Sequence, residues 1–295
     1  MHPAKQRRRN RRNNVESYTP VTGHYVIGYL HTRCNTLESA IGMKSRHKSY
    51  TWSYTVCAQA AGGLTIMIEP KPPSILAMAG ESLTPLELPR LLASSPALAL
   101  QARGTGQPVM VLPGLGASNT STAPMRRYLS WLGYDVQGWR LGQNTGDVAG
   151  LLPQVVEQLH EFYEHSGTQV NLVGWSLGGV LAREAARDNP GSVRQVVTMG
   201  SPVVGGPKYT SLGRIYAQRG QDVDAIAATV AERENTPIRV PVTSIYSKRD
   251  GIVGWQASID RLTREADNIE VCATHFGLGF SPAVYKILAR KLAQS

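Results

Sequence analysis

The sequence has 295 residues, of which 42% are hydrophobic and 18% are charged. A chain of this length and composition can bury a full core, which excludes a fibrous or wholly disordered protein. The formal net charge of +10 is unevenly distributed: residues 1 to 80 hold eleven Lys or Arg and three acidic residues, whereas the rest holds 20 basic and 18 acidic residues.

The basic surplus begins with the run RRRNRR at residues 7 to 12. Because these charges repel one another and have no apolar partner, we predict a disordered arm. Such an arm could bind nucleic acid or an anionic lipid surface, but no interleaved aromatic residues or reader motif support a nucleic-acid partner, and we expect none. Solvated charge without a function is the simpler interpretation.

Residues 1 to 80 show neither sustained alternation nor helical spacing, and they close near the breaker-rich EPKPP at residues 69 to 73. We interpret them as an irregular N-terminal extension, followed by one domain over residues 81 to 295. A further hypothesis is that the functional polypeptide begins near Met78 and that the upstream residues are dispensable. A truncation at Met78 that lost solubility or activity would count against it.

No segment combines the features of a signal peptide, and no apolar stretch approaches the roughly 20 residues of a membrane span. We therefore expect a cytoplasmic protein without a membrane span. Cys34, Cys57 and Cys272 show no metal-ligand spacing, so we expect no metal and reduced thiols; a bridge between Cys34 and Cys57 remains an alternative.

Regular elements begin at Pro108. The pattern predicts strands at 109–112, 134–139, 170–173, 193–199, 242–246 and 268–273, and helices from Ser121 or Thr122 to Trp131, at 151–162 and 179–187, and near the C-terminus over 284–292. Strands that alternate with helices predict an α/β fold with a mostly parallel sheet flanked by helices. Ligands in such sheets bind at the carboxyl ends of the strands.

The most informative motif is GWSLGG at residues 174 to 179, between an apolar strand and a helix. Glycines two residues before and two after Ser176 leave room for a strained turn that holds the hydroxyl away from the backbone. This context predicts a nucleophile elbow with Ser176 as the nucleophile. The alternative is a glycine-rich strand-to-helix turn with an incidental serine.

A serine nucleophile needs a base and a third group that orients the base. Of the seven histidines, His275 alone follows a late strand and enters a loop of small residues, and Asp250 alone among the candidate aspartates stands just past a strand. We predict Asp250 as the acid and His275 as the base, although a surface histidine and a turn aspartate before glycine remain the bland alternatives.

Hydrolysis of an ester places negative charge on the carbonyl oxygen, which backbone N–H groups can stabilise. The amide of Leu177, at the start of the elbow helix, is one predicted donor. We assign the second to Leu115, in the loop after the first strand. An ordinary glycine turn is the alternative there.

The motifs LPGLG (112–116), GWSLGG (174–179), SKRDGIV (247–253) and THFGLG (274–279) resemble those of the lipase and esterase branch of the α/β-hydrolase superfamily. The order Ser176, Asp250, His275 is the order of that superfamily. The resemblance implies the α/β-hydrolase fold. One departure is that bacterial lipases often carry His-Gly where this chain has Pro113-Gly114.

The insertion at about residues 202 to 240 resembles a helical cap or lid in this superfamily. Its helical stretch, Asp222 to Glu234, has a modest apolar face. This favours soluble esters with short to medium acyl chains over long-chain triglycerides. Ordinary core packing by that face is an equal alternative.

We therefore expect a carboxylic ester hydrolase, esterase or lipase, that forms an acyl-enzyme on Ser176 with His275 as base and then acid. Its partner is a small-molecule ester or lipid substrate, and it needs no cofactor. The same scaffold supports acyl transfer, the first alternative. A catalytically silent binding module that docks on an anionic partner is the second. The sequence does not indicate an oligomeric state.

Overall fold

The computed structural model describes residues 55–56, 66–67 and 69–294. The chain divides into two units, residues 1–53 and 54–295, and every described residue belongs to the second. The predicted arm at residues 7 to 12 and the alternative bridge between Cys34 and Cys57 lie outside the described residues.

The second unit is built on a six-stranded sheet in the order β4-β3-β5-β6-β7-β8, in which every neighbouring pair is parallel. A separate antiparallel pair joins β1 (Thr55–Val56) and β2 (Ile66–Met67). The strands of the large sheet are β3 (Pro108–Leu112), β4 (Asp135–Gly138), β5 (Val170–Trp175), β6 (Val193–Met199), β7 (Val242–Tyr246) and β8 (Asp267–Glu270).

Both faces of the large sheet are covered, so its central strands are buried along their length and are rich in Val and Leu. One core layer includes Val111, Val173 and Leu288, and the other includes Leu112, Leu172 and Leu181. The described α-helices are α1 (Ile75–Gly80), α2 (Glu87–Ala93), α3 (Ser95–Ala99), α4 (Asn119–Trp131), α5 (Val148–Ser166), α6 (Leu177–Asp188), α7 (Gly213–Gln218), α8 (Val223–Arg233) and α9 (Pro282–Ala293).

The predicted alternation of strands and helices is confirmed, with differences at the ends of elements. The last strand ends at Glu270 instead of Ala273, and α4 begins at Asn119 instead of Ser121 or Thr122. A larger difference is α1, which lies in the region expected to be irregular. Ser74 caps it by accepting a hydrogen bond from the N–H of Ala77 at 3.2 Å.

Residues 69 to 87, here called the N-terminal strap, lie against the loop after β7. The Tyr209 hydroxyl donates to the Glu69 carboxylate at 3.0 Å, and a Cβ on Gly251 would lie 2.5 Å from the carbonyl oxygen of Ala77. The strap residues of these two contacts, Glu69 and Ala77, lie upstream of Met78. That the residues before Met78 are dispensable and that a domain boundary falls at residue 80 both stay predictions.

Candidate active site

The turn between β5 and α6 has the geometry predicted for an elbow. Ser176, the one residue between the two elements, has φ 54° and ψ −123°, a region that non-glycine residues rarely adopt. Its N–H donates to the Met199 carbonyl at 2.8 Å, and its own carbonyl accepts from the N–H of Gly179 at 2.9 Å. The neighbouring strand and the new helix therefore hold the strained residue in place.

The glycines of the motif are required by close backbone packing. A Cβ on Gly174 would overlap the backbone of Gly178 and Gly179, and a Cβ on Gly178 would overlap the carbonyl of Leu112. Since backbone atoms cannot yield as a flexible side chain can, larger residues at these two positions would displace the turn.

Asp250 and His275 meet at the carboxyl ends of β7 and β8. The Nδ1 atom of His275 and the Oδ2 atom of Asp250 are 2.7 Å apart, and both side chains are almost completely buried. The other carboxylate oxygen of Asp250 accepts from the N–H groups of Ile252 at 2.9 Å and Val253 at 2.7 Å. The carboxylate is thereby fixed in orientation, with one oxygen left for the imidazole.

The elbow adjoins this pair through Trp175 and Gly200. The indole N–H of Trp175 donates to the His275 carbonyl at 3.2 Å. Gly200 directly follows β6, and a Cβ there would lie 2.8 Å from Oδ2 of Asp250 and 3.1 Å from Nδ1 of His275. Within the described residues, the Ser176 hydroxyl makes no hydrogen bond to His275. Such contacts often tighten only when substrate binds.

The two predicted oxyanion donors also lie beside Ser176. Leu177 opens α6, and Leu115 lies in the loop after β3, where a Cβ on the preceding Gly114 would be 3.1 Å from Cβ of Ser176. Neither the Leu115 nor the Leu177 N–H has a backbone hydrogen-bond partner within the described range. The backbone of the fold therefore does not occupy either N–H group, and that the two act as oxyanion donors stays a prediction.

Asn144 supports the Leu115 loop and was missed in the sequence. It is fully buried, and its amide nitrogen donates to the Pro113 carbonyl at 3.0 Å. Its backbone accepts from the N–H of Gly116 and donates to the carbonyl of Ala117, each at 2.8 Å. The only signal was a polar residue in a loop of Gly, Gln, Thr and Asp, which is too common to single out.

A cavity of about 410 Å³ opens beside Ser176, and its surface is mostly apolar although the lining also includes Arg183, Glu184, Arg233 and Glu234. Burial raises the pKa of Tyr216, one of the lining residues, above its ordinary 10.0, so its hydroxyl stays neutral. Residues 202 to 240, here called the cap segment, supply one wall. The lining includes Leu115, Val148, Leu152, Leu177 and Val180 from the sheet side, and Pro207, Leu212, Ile226 and Val230 from the cap segment.

Ion pairs join the end of the cap segment to α6, and two of the arginines in them, Arg183 and Arg187, are buried. Arg183, 3% exposed, contacts Asp260 and is 3.1 Å from Glu234. The fully buried Arg187 pairs with Glu234 at 2.7 Å, and Arg233 pairs with Glu184 at 2.7 Å. Partnered arginines at this depth satisfy the requirement that buried charges be compensated.

Burial by itself would raise the pKa of the Asp260 carboxyl, but the charge of Arg183 and hydrogen bonds from Thr263 and Arg183 outweigh it. The pKa therefore lies below its usual 3.8. A lowered pKa in the folded state means that Asp260 stabilises the fold above the unfolded-state pKa. That stabilisation is lost as the pH falls through the lower folded-state pKa.

We predict that Asp260→Asn lowers the free energy of unfolding by about 2 kcal/mol at pH 7, because the buried Arg183 loses one of its two carboxylate partners and keeps only Glu234. Urea denaturation measures this, and the difference from the unmodified protein should shrink below about pH 4. Asp224→Asn, which breaks an exposed pair with Lys208, is the control and should cost under about 1 kcal/mol. Equal effects of the two substitutions would contradict the prediction.

Two absences hold for the described residues alone. Within residues 55–56, 66–67 and 69–294, no group of three or more His, Cys, Asp or Glu side chains is arranged to hold a metal ion. In the same part of the chain, none of the helices has the length and apolar character that crossing a bilayer requires.

Comparison with known proteins agrees with this architecture. Residues 108–248 match the family model described as palmitoyl protein thioesterase. No curated protein sequence matches the chain.

Three solved structures illustrate the likeness in fold. A metagenome-derived lipolytic enzyme of the LipS and LipT study has a TM-score of 0.51 at 17% identity, covering 66% of this chain and 95% of its own. An α/β superfamily hydrolase from Oenococcus oeni PSU-1 has a TM-score of 0.50 at 15% identity, covering 65% and 94%. The mature lipase BlEst2 of Bacillus licheniformis has a TM-score of 0.51 at 16% identity, covering 65% and 94%.

The chain has the α/β-hydrolase fold, and it resembles the α/β-hydrolase superfamily. The resemblance to its lipase and esterase branch is confirmed by the family match together with these neighbours.

Proposed function

We propose that this protein hydrolyses carboxylic esters through an acyl-enzyme formed on Ser176. The observation that carries the proposal is the 2.7 Å hydrogen bond between Asp250 and His275, next to a serine held at φ 54°. An imidazole oriented by a buried carboxylate, beside a serine on a strained turn at the wall of a cavity, is the arrangement that acyl transfer needs.

In the first half-reaction, the Ser176 oxygen attacks the acyl carbonyl while Nε2 of His275 takes the hydroxyl proton. The N–H groups of Leu115 and Leu177 stabilise the negative oxygen of the tetrahedral intermediate. When the intermediate collapses, the bond to the alcohol breaks, and the alcohol leaves with the proton from Nε2. The acyl group then remains on Ser176.

In the second half-reaction, a water molecule replaces the alcohol. Its oxygen attacks the acyl-enzyme, one of its protons passes to Nε2, and that proton returns to Ser176 as the acid leaves. Asp250 accepts a hydrogen bond from Nδ1–H throughout, so the imidazole keeps the tautomer with Nε2 free to act as a base.

The cavity beside Ser176 supplies the acyl site of the proposal. Its volume of about 410 Å³ and apolar walls suit a hydrocarbon chain. We propose that the physiological acyl chain is short to medium. Ile226 and Val230 of α8 close the cavity, and α8 contains no fully buried residue, so its apolar face is modest.

Val230→Phe should test the acyl site. The added volume should lower kcat/KM at least about tenfold for the longest nitrophenyl ester that the unmodified protein accepts, and leave the acetate ester within about twofold. Ala228→Phe, on the same helix but exposed and outside the lining, is the control. A uniform loss across all chain lengths would refute the assignment of the cavity to the acyl chain.

Thioester hydrolysis is the second candidate, favoured by the match of residues 108–248 to the thioesterase model. The same groups would act, with a thiolate as the leaving group. The ratio of kcat/KM for an acyl thioester to that for the oxygen ester of the same acyl chain separates the two candidates.

A further inference from the structure

Glu81, in the N-terminal strap, is hydrogen-bonded to both loops that carry the proposed acid and base. One carboxylate oxygen accepts from the N–H of Gly251 at 2.8 Å and from the N–H of His275 at 2.7 Å. The other accepts from the N–H of Phe276 at 3.1 Å. Three backbone donors on one carboxylate are charge-assisted hydrogen bonds, which are stronger than neutral ones.

The two loops leave different strands of the sheet. Asp250 follows β7, and His275 follows β8 after a further segment without regular structure. The side chains of Asp250 and His275 share one hydrogen bond. Glu81 joins the backbones of the two loops, because it accepts from the N–H of Gly251, which directly follows Asp250, and from the N–H of His275 itself. The separation of acid and base is thus set twice, once by their own contact and once by Glu81.

The backbone of His275 is held on both sides. Glu81 accepts its N–H, and the Trp175 indole donates to its carbonyl at 3.2 Å. Trp175 immediately precedes Ser176. The strap and the nucleophile strand therefore both bind the backbone of His275, and removing Glu81 would release one of the two contacts that position its imidazole.

The strap is packed closely enough to hold Glu81 in place. A Cβ on Gly251 would lie 2.5 Å from the Ala77 carbonyl oxygen and 2.8 Å from Cα of Met78, so the acid loop rests on the strap backbone. The hydroxyls of Thr84 and Thr274 are 2.7 Å apart, which anchors the strap one residue before His275.

We propose that Glu81 is a positioning residue that sets the geometry of Asp250 and His275 relative to Ser176. The proposal rests on the proposed function for its kinetic consequence, but its geometric part is measurable without turnover. A misplacement of about 1 Å at a reacting group can cost about 100-fold in rate. We therefore expect the loss of the three hydrogen bonds to Glu81 to lower the rate of the chemical step.

The kinetic test compares Glu81→Ala and Glu81→Gln with the unmodified protein, using a nitrophenyl ester and counting competent sites by complete labelling with a fluorophosphonate. We expect Glu81→Ala to lower kcat per labelled site about 10- to 100-fold with KM within about twofold. The kcat of Glu81→Gln should lie between those of Glu81→Ala and the unmodified protein. Its amide oxygen can still accept from Gly251 and His275, while its NH₂ group faces the N–H of Phe276.

Glu87→Gln is the matched control, since Glu87 lies in the strap near Gly277 but accepts no hydrogen bond from either loop. It should keep kcat per labelled site. If Glu81→Ala changes only the melting temperature and the number of labelled sites, Glu81 is merely structural and the proposal is overturned. An equal kcat loss in Glu87→Gln would overturn it as well.

The downfield proton resonance of Nδ1–H, identified by its loss in Asp250→Asn, gives a readout that does not need activity. It should broaden or vanish in Glu81→Ala and persist in Glu87→Gln; persistence in Glu81→Ala would overturn the proposal. If the unmodified protein shows this resonance and its dependence on Glu81 but turns over no ester, the positioning role stands and the proposed function fails.

Discussion

Ser176→Ala should lower kcat for a nitrophenyl ester by about 10⁴- to 10⁶-fold and abolish labelling by a fluorophosphonate. The hydroxyl forms the acyl-enzyme in the proposed mechanism. The residual rate of the variant would come from stabilisation by the oxyanion donors and from substrate binding. Initial rates on protein purified without contact with the active form would measure the loss.

The fold should tolerate this change, because the Ser176 hydroxyl makes no side-chain hydrogen bond within the described residues, and alanine keeps Cβ at the same φ. The melting temperature should therefore stay within a few degrees. Ser201→Ala, in the buried segment just after the neighbouring strand β6, is the control and should keep both activity and labelling. Turnover by Ser176→Ala close to that of the unmodified protein would rule out the acyl-enzyme.

Asp250→Asn should lower kcat about 10⁴-fold while leaving KM and stability nearly unchanged. The loss of kcat follows from the hydrogen bonds that the Asp250 carboxylate accepts. One carboxylate oxygen accepts from the N–H groups of Ile252 and Val253, so the amide oxygen of the substituted side chain would be held there and its NH₂ group would face His275. Nδ1 would then have to accept, which puts the proton on Nε2 and removes the base.

Kinetics together with the Nδ1–H resonance measure this change. Asp267→Asn, which alters a partly exposed pair with Lys291, is the control and should change kcat less than about twofold. If Asp250→Asn kept most of its activity, another carboxylate would have to orient the imidazole, and the assignment of Asp250 would be wrong.

The sheet could be predicted from the sequence because its strands are continuous apolar runs with helices of clear periodicity between them, as in β5 and α5. The elbow was readable because only glycine fits the close backbone contacts around Ser176. The meeting of Asp250 and His275 followed from the parallel sheet, which brings the ends of β7 and β8 to one edge whatever their separation in the chain.

Glu81 and the buried arginines could not be predicted in this way. Glu81 bonds to residues 170 and 194 positions away, and its own neighbourhood contains no pattern that distinguishes it from a solvated glutamate. Arg183 and Arg187 stand in a helix segment that reads as an ordinary charged face, yet both are buried by the cap segment and the residues after it. Long-range partners of this kind are visible only in three dimensions.

The ion pairs at Arg233 and Glu234 have a practical consequence for engineering substrate preference. They fasten the C-terminal end of α8 to α6 at one side of the cavity, whereas the apolar residues that the cap segment adds to the lining lie further upstream, at Pro207, Leu212, Ile226 and Val230. A grafted cap from another hydrolase should therefore replace residues 206 to 232 and retain the charged anchor. Exchanging the whole insertion would remove Glu234, which would leave Asp260 as the carboxylate partner of the buried Arg183 and Glu184 as that of the buried Arg187.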